Sequence, residues 1–364
     1  MTFSEARSKP AVELRAVDIV FGERRSAALA MIDQGKSRQE ILDATGAVLG
    51  AAGVSLRIET GEICVLMGLS GSGKSTVLRA VNGLNPVARG EVLVADGEAT
   101  VDVASCSEEV LRRLRQSRVT MVFQQFALLP WRTVRENVGL GLELKGMAKP
   151  ERDAIVDGKL AMVGLDKWAD KYAHELSGGM QQRVGLARAL AADPEIILMD
   201  EPFSALDPLI RRQLQDEFRQ LTKSLGKSAV FITHDLDEAI RIGDRIAIMK
   251  DGVIIQIGTS EEIILAPADD YVADFVAGIS RLHLIKAHSV MESLEACRRA
   301  DPGLDPADLL TTTPEADIDE LIDLTMRSTR DGLAVVDNGA VVGVVTTRGL
   351  LRGVKGGRGA AAAS

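Results

Sequence analysis

The apolar run GEICVLM, ending at Met67, leads directly into GLSGSGKST, Gly68 to Thr76, and the helix-like VLRAVNGL follows. No other stretch limits the possible folds so tightly. A short apolar run of this kind suits a strand buried in a parallel sheet. Strand, glycine loop and helix in that order make a phosphate cradle. The glycines let backbone N–H groups turn inward around phosphate oxygens, and the helix N-terminus adds its dipole. On this reading Gly68, Ser70, Gly71 and Gly73 shape the cradle. Lys74 reaches the β- and γ-phosphates, Ser75 ligates Mg²⁺ and Thr76 backs them. The fold class is α/β.

Such a cradle needs a second, acidic strand. EIILMDEP, Glu195 to Pro202, supplies an apolar run and then Asp200 and Glu201. Asp200 at the strand end holds Mg²⁺ through water. Glu201, one residue on, accepts a proton from an attacking water. KSAVFITHDLDEA gives a third apolar strand, Ala229 to Thr233, followed by His234, placed to bond a γ-phosphate.

A second glycine pair lies in LSGGMQQRVGLARAL, Leu176 to Leu190. It has no following lysine and no preceding apolar strand, so it is not a second cradle. It reads as a helix start: Ser177, Gly178 and Gly179 offer N–H groups and a hydroxyl, and MQQRVGLARAL continues as a helix. A helix N-terminus with open donors is an anion site. The first cradle already has its own donors, so this one is expected to cap the γ-phosphate held by another copy.

The formal net charge is −9 and no basic stripe is present, which argues against nucleic acid as a partner. Cys64, Cys106 and Cys297 are scattered without metal-ligand spacing, as in a reducing compartment. MTFSEARSKP lacks the apolar core of a secretory signal, and AVLGAAGVSLRI is broken by Ser55 and Arg57. A cytosolic chain docked on a membrane-embedded partner is expected.

The motifs, taken in order, resemble those of ABC-transporter ATPases over roughly residues 12 to 275. GLSGSGKST resembles Walker A, MVFQQFALLP the Q-loop with Gln124, and LSGGMQQRV the signature. EIILMDEP resembles Walker B with Glu201 as catalytic glutamate, SALD the D-loop with Asp207, and His234 the switch histidine. The resemblance implies a RecA-like core with antiparallel β and helical subdomains, the helical one at about 111–190. It implies a head-to-tail dimer in which each ATP lies between one subunit's Walker motifs and the other's signature. It assigns Gln124 to Mg²⁺ and the lytic water, and the groove beside it to a coupling helix of a membrane permease. It also implies an aromatic stacked on adenine, for which LRAVDIVFGERR offers Phe21.

Between Phe21 and Ile63 lies SAALAMIDQGKSRQEILDATGAVLG, with Ser37 and Glu40 forming a capping box. This insertion resembles the ATPases of glycine betaine, proline and choline importers. That implies a solute-binding protein as an indirect partner and a position on the cytoplasmic face of the inner membrane. The ATPase domain is expected to end near 278. From 279 to about 356 the chain resembles a CBS repeat, an α+β unit, followed by a disordered tail at 357–364. The family's T-x-x-D reads Thr346-Thr-Arg-Gly349 here, without the ribose acid. Packing or dimerisation is thereby favoured over nucleotide binding for this unit. The rival to a quaternary-amine importer is another importer class, for nitrate, sulfonate or amino acids, to which LLPW is also suited.

Overall fold

The computed structural model describes residues 9–123, 127–204, 206–277, 285–300, 305–328 and 330–355. The chain divides into two compact units, Met1–Ile257 and Gly258–Ser364.

In the first unit the strands are β1 (Pro10–Phe21), β2 (Val48–Glu59), β3 (Ile63–Met67), β4 (Arg89–Asp96), β5 (Ala99–Asp102), β6 (Val119–Val122), β7 (Ile196–Asp200), β8 (Ser228–Ile232), β9 (Arg245–Lys250) and β10 (Val253–Gly258). They form two sheets. One is antiparallel, in the order β2-β1-β4-β5; the other runs β10-β9-β3-β8-β7-β6. In the second sheet β3 pairs in parallel with both β9 and β8, and β7 pairs in parallel with both β8 and β6. Every residue of β3, β7 and β8 is buried, as their unbroken apolar runs require of strands covered on both faces.

The helix Lys74–Val81 contributes Val77, Leu78, Ala80 and Val81 to one core shared by both sheets. Val12, Ile19, Leu56 and Val92 enter it from the antiparallel sheet, and Leu66, Leu198 and Ile232 from the parallel one. On β8 the neighbouring Phe231 packs instead with Phe203 and with Phe218 of the helix Pro208–Ser224, ring centroids 5.8 and 6.4 Å away. Alternate residues of one strand therefore serve two different packing layers.

The segment Leu111–Leu190 is mainly helical, with helices Glu108–Ser117, Val134–Leu144, Lys149–Met162 and Gly178–Ala191. It also contains β6, the edge strand of the parallel sheet. The purely helical portion thus begins after Val122.

The insertion between β1 and β2 forms helices Arg25–Asp33 and Arg38–Thr45. The Ser37/Glu40 capping box is present, and hydrogen bonds from Ser37 pull the Glu40 carboxyl down to about 2. Ala28 and Ile41 join Val20, Ala47 and Leu49 in a small core of their own. Arg89 on β4 ties the insertion down, bonding the buried Asp18 through Nε and Asp33 through Nη2, both at 2.8 Å or less.

The second unit opens with helices Ser260–Leu265 and Asp270–Val276. Its sheet has strands β11 (Leu310–Thr312), β12 (Leu333–Asp337) and β13 (Ala340–Val345). β11 runs parallel to β12, and β12 runs antiparallel to β13 through the Asn338-Gly339 turn, where both residues have positive φ. Helices Ile318–Arg327 and Thr347–Lys355 flank it. Glu292 closes the free side of β13 with two backbone hydrogen bonds to Val344, of 2.8 and 3.0 Å.

Candidate nucleotide site

The glycine loop lies between β3 and the helix Lys74–Val81, at the carboxyl end of the central strand of the parallel sheet. Neighbouring backbone hems it in. A Cβ on Gly68, at φ +142°, would lie 2.1 Å from the Met249 carbonyl oxygen; one on Gly73, at φ +102°, would lie 2.4 Å from that of Gly50. Only glycine meets both demands. The Gly252 N–H donates to the Ser72 carbonyl at 3.0 Å, so the β9–β10 turn braces the loop from the side.

Lys74 is buried and curls back over the loop, donating from Nζ to the carbonyls of Gly68 (2.8 Å) and Leu69 (3.0 Å). Burial pushes its amine below the usual lysine range, while the Glu201 and Asp200 carboxylates pull it back up. Ser70 and Gly71 are exposed on the loop rim, and Thr76 is half-buried.

Ser75 Oγ donates to Asp200 Oδ1 at 2.8 Å, joining the loop helix to the end of β7 across 125 residues. Arg79 Nη2 donates to Asp200 Oδ2 at 3.1 Å. Asp200 is only 1% exposed, so both of its oxygens need such partners. Arg79 was not among the expected site residues. Its spacing of four from Ser75, which puts both on one helix face, is the signal that could have revealed it.

Glu201 follows with φ +49°, an uncommon backbone for a residue with a side chain. Its carboxylate Oε2 stands 3.5 Å from His234 Nδ1, just past the end of β8. The carboxylate is one-fifth exposed and the imidazole two-thirds exposed.

Phe21, at the end of β1, is half-buried against the shared core. Its ring edge and Thr76 Cγ2 both close on the backbone of Gly50, since a Cβ there would meet them at 2.9 and 2.7 Å. The one aromatic expected near the base thus sits beside the loop helix. Gln124 lies outside the described residues.

The second glycine pair opens a different helix, Gly178–Ala191. Ser177 caps the helix Gly178–Ala191, accepting from the Met180 N–H at 3.4 Å, and Ser177 and Gly178 are exposed. Among the described residues no hydrogen bond joins Ser177, Gly178 or Gly179 to the Gly68–Lys74 loop. Instead Ser177 and Gly179 line an open depression of about 280 Å³ with Met180, Arg183, Leu206 and Asp207. Asp207 is exposed and caps the helix Pro208–Ser224, accepting from the Ile210 N–H at 3.1 Å.

Comparison with known proteins agrees with this geometry. Residues 51–204 match the ABC transporter family, and residues 306–356 match the CBS domain. The glycine betaine/proline betaine transport system ATP-binding protein ProV of Salmonella typhimurium is 48% identical over 307 residues, covering 84% of this chain and 76% of ProV. The chain belongs to the ATP-binding subunits of ABC transporters. This ABC ATPase is also similar to the trimethylamine N-oxide transport system ATP-binding protein TmoW of Ruegeria pomeroyi, 41% identical over 94% of this chain and 96% of TmoW. The glycine betaine transport ATP-binding protein OpuAA of Bacillus subtilis is 47% identical over 79% of this chain and 68% of OpuAA. Among solved structures, the dimeric post-hydrolysis state of the ATP-binding cassette MJ0796 bound to ADP and Pi superposes with a TM-score of 0.59 at 32% identity. That match covers 68% of this chain and 98% of the cassette. The expected fold class, an ABC cassette followed by a CBS domain, is therefore borne out. Among the described residues no helix of this ATPase is long and apolar enough to cross a membrane.

In the CBS unit, Gly349 stands where the ribose acid was sought. A Cβ there would lie 2.7 Å from the Val290 carbonyl, so the preceding segment packs too closely for a side chain.

Proposed function

We propose that this chain powers the import of a betaine-type solute, one whose nitrogen is a methylated quaternary ammonium or a tertiary-amine N-oxide. The observation that carries the reading is the set of solutes named for its relatives: glycine betaine, proline betaine, carnitine, choline and trimethylamine N-oxide. All present a fully substituted, positively charged nitrogen. Such a group is held by aromatic faces. This ATPase has few aromatics, so solute choice belongs to a permease and a solute-binding protein, and this subunit supplies the energy. Its place is the cytoplasmic face of the inner membrane, bound to the permease.

ATP is held by the Gly68–Thr76 loop, with Lys74 turned from the loop carbonyls to the phosphates and Phe21 against the base. Mg²⁺ fits the donors present: a hydroxyl and a carboxylate, hard oxygen ligands, meet at Ser75 and Asp200. An ion held by these two donors takes its remaining ligands from water and the phosphates. When bound, the ion supplies positive charge against the developing phosphate charge. Gln124 completes that set from the Q-loop.

Glu201 takes a proton from the water whose oxygen attacks the γ-phosphorus, and ADP leaves with the electrons of the broken P–O bond. His234 orients the γ-phosphate and Glu201. Ser177, Gly178, Gly179 and Asp207 act on the nucleotide of a second copy in a head-to-tail homodimer. The exposed Ser177 cap, which among the described residues makes no hydrogen bond to its own Gly68–Lys74 loop, supports that arrangement.

The test is uptake by vesicles carrying this subunit with its permease and binding protein. Labelled glycine betaine, choline and trimethylamine N-oxide are compared with nitrate, a sulfonate and an amino acid. ATP-dependent accumulation of one of the methylated amines supports the reading; accumulation of nitrate, sulfonate or amino acid alone refutes it.

A further inference from the structure

The helical insertion reaches the ATP cradle. Arg38, the first residue of the helix Arg38–Thr45, donates from Nη1 to the carbonyl oxygen of Gly71 at 2.6 Å. From this contact we infer that Arg38 is a positioning residue of the nucleotide site, and that the insertion's task is to set the cradle before ATP arrives. The inference rests on reading the Gly68–Thr76 loop as the ATP cradle.

The loop is the part of the site least able to hold its own shape. Gly68, Gly71 and Gly73 all have positive φ, and glycine-rich backbone has the most freedom to lose on ordering. Gly68 and Gly73 are wedged against the backbone of Met249 and Gly50, whereas a Cβ on Gly71 would meet nothing within 4 Å. Packing therefore leaves the rim at Gly71 unsupported. Arg38 provides the missing hold. It takes the carbonyl of the Gly71–Ser72 peptide, while the Ser72 N–H of the same peptide donates to the Leu69 carbonyl at 3.1 Å. With both polar ends engaged, that peptide plane is fixed. Holding a binding loop in shape beforehand removes part of the ordering cost of the ligand.

The insertion is built to carry this load. The Ser37/Glu40 capping box fixes the helix start at the residue next to Arg38. Arg89 anchors the first insertion helix at Asp33 and the sheet at Asp18, and the small core around Ile41 joins the second helix to β1 and β2. The guanidinium thus stands on a braced support rather than on a loose loop.

The test uses the full chain, with ATP affinity measured by calorimetry and hydrolysis followed as kcat and KM. Arg38→Ala is expected to weaken ATP binding and raise KM about 10-fold, equal to about 1.4 kcal/mol, with kcat within two-fold of the original. Arg38→Lys, still able to donate to the Gly71 carbonyl, should recover most of the loss. Gln39→Ala, one residue on and bonded within the helix to Asp43 at 2.8 Å, should change neither. The proposal is overturned if Arg38→Ala leaves KM and affinity within two-fold of the original. It is equally overturned if Arg38→Ala and Gln39→Ala lower affinity and thermal midpoint together, or if the lysine variant rescues nothing. If Lys74→Ala also binds ATP normally, the reading of the loop as the cradle falls, and this inference with it.

Discussion

Glu201 Oε2 and His234 Nδ1 stand 3.5 Å apart, although the carboxylate ends one strand and the imidazole follows the next. The parallel pairing of β7 with β8 sets them side by side, since Asp200 is in register with Ile232. Both groups thereby stand just past the carboxyl ends of neighbouring strands. Glu201→Gln should bind ATP as before and hydrolyse it at least 100-fold more slowly, because the base goes and the cradle stays. Steady-state phosphate release within a few-fold of the original would remove Glu201 from that role.

The signature is expected to act across a dimer. Ser177→Arg places bulk and charge where a partner's γ-phosphate would lie, while Lys74→Ala damages the subunit's own cradle. Each variant alone should be inactive. Mixed together, they form one complete site from the cradle of the first and the signature of the second, and some hydrolysis should return. Continued inactivity of mixed dimers shown to have assembled would count against a shared site.

Gly68 and Gly71 of the loop should differ in cost. Gly71→Ala meets open space and carries only the backbone penalty of a left-handed residue, about 1–2 kcal/mol. Gly68→Ala adds a clash with the Met249 carbonyl, for roughly 1–3 kcal/mol more. Denaturant unfolding of the two variants checks the order; equal losses would show that the loop yields freely.

Glu238 is buried beside Gln215, whose Nε2 donates to it at 2.9 Å. Burial raises its carboxyl above the ordinary value of 4.5, opposed by hydrogen bonds from Thr233 and Gln215. A carboxyl raised in the folded state holds its proton more tightly there than in the unfolded chain. Its burial therefore costs nothing below the ordinary carboxylate range and becomes a penalty as pH rises through the folded value. Glu238→Gln should raise the thermal midpoint at pH 8, with the gain fading toward pH 4. A gain independent of pH would mean that charge is not the cause.

The CBS unit should regulate without sharing in the chemistry, because every described catalytic group lies in the first unit. Truncation after Gly278 is expected to keep basal hydrolysis and to change how transport in vesicles depends on internal salt. Transport with an unaltered salt response would reduce the unit to a packing element, as the close approach of Gly349 to Val290 would also allow.

Much of the site was legible because it is local. A phosphate loop is a strand end, three positive-φ glycines and a helix start, so GLSGSGKST carries its own geometry. Caps are equally local: Ser37 with Glu40 needs only four consecutive residues. The apolar runs of β3, β7 and β8 announce strands buried on both faces. The four-residue β6 was not legible within the helical segment, because VTMV is too short to show a period and its pairing with β7 alone makes it a strand.

By itself the sequence determined the glycine loop, the helix caps and the longer apolar strands, and it marked candidate residues for phosphate, metal and water. The tertiary structure decided which of them meet. Ser75 joins Asp200, Arg79 completes that carboxylate, and Arg38 crosses from the insertion to Gly71. Steric and hydrogen-bond rules between near neighbours can be read along a chain. Contacts between remote segments depend on strand order, which sets β3 between β9 and β8 and is not written in any local stretch.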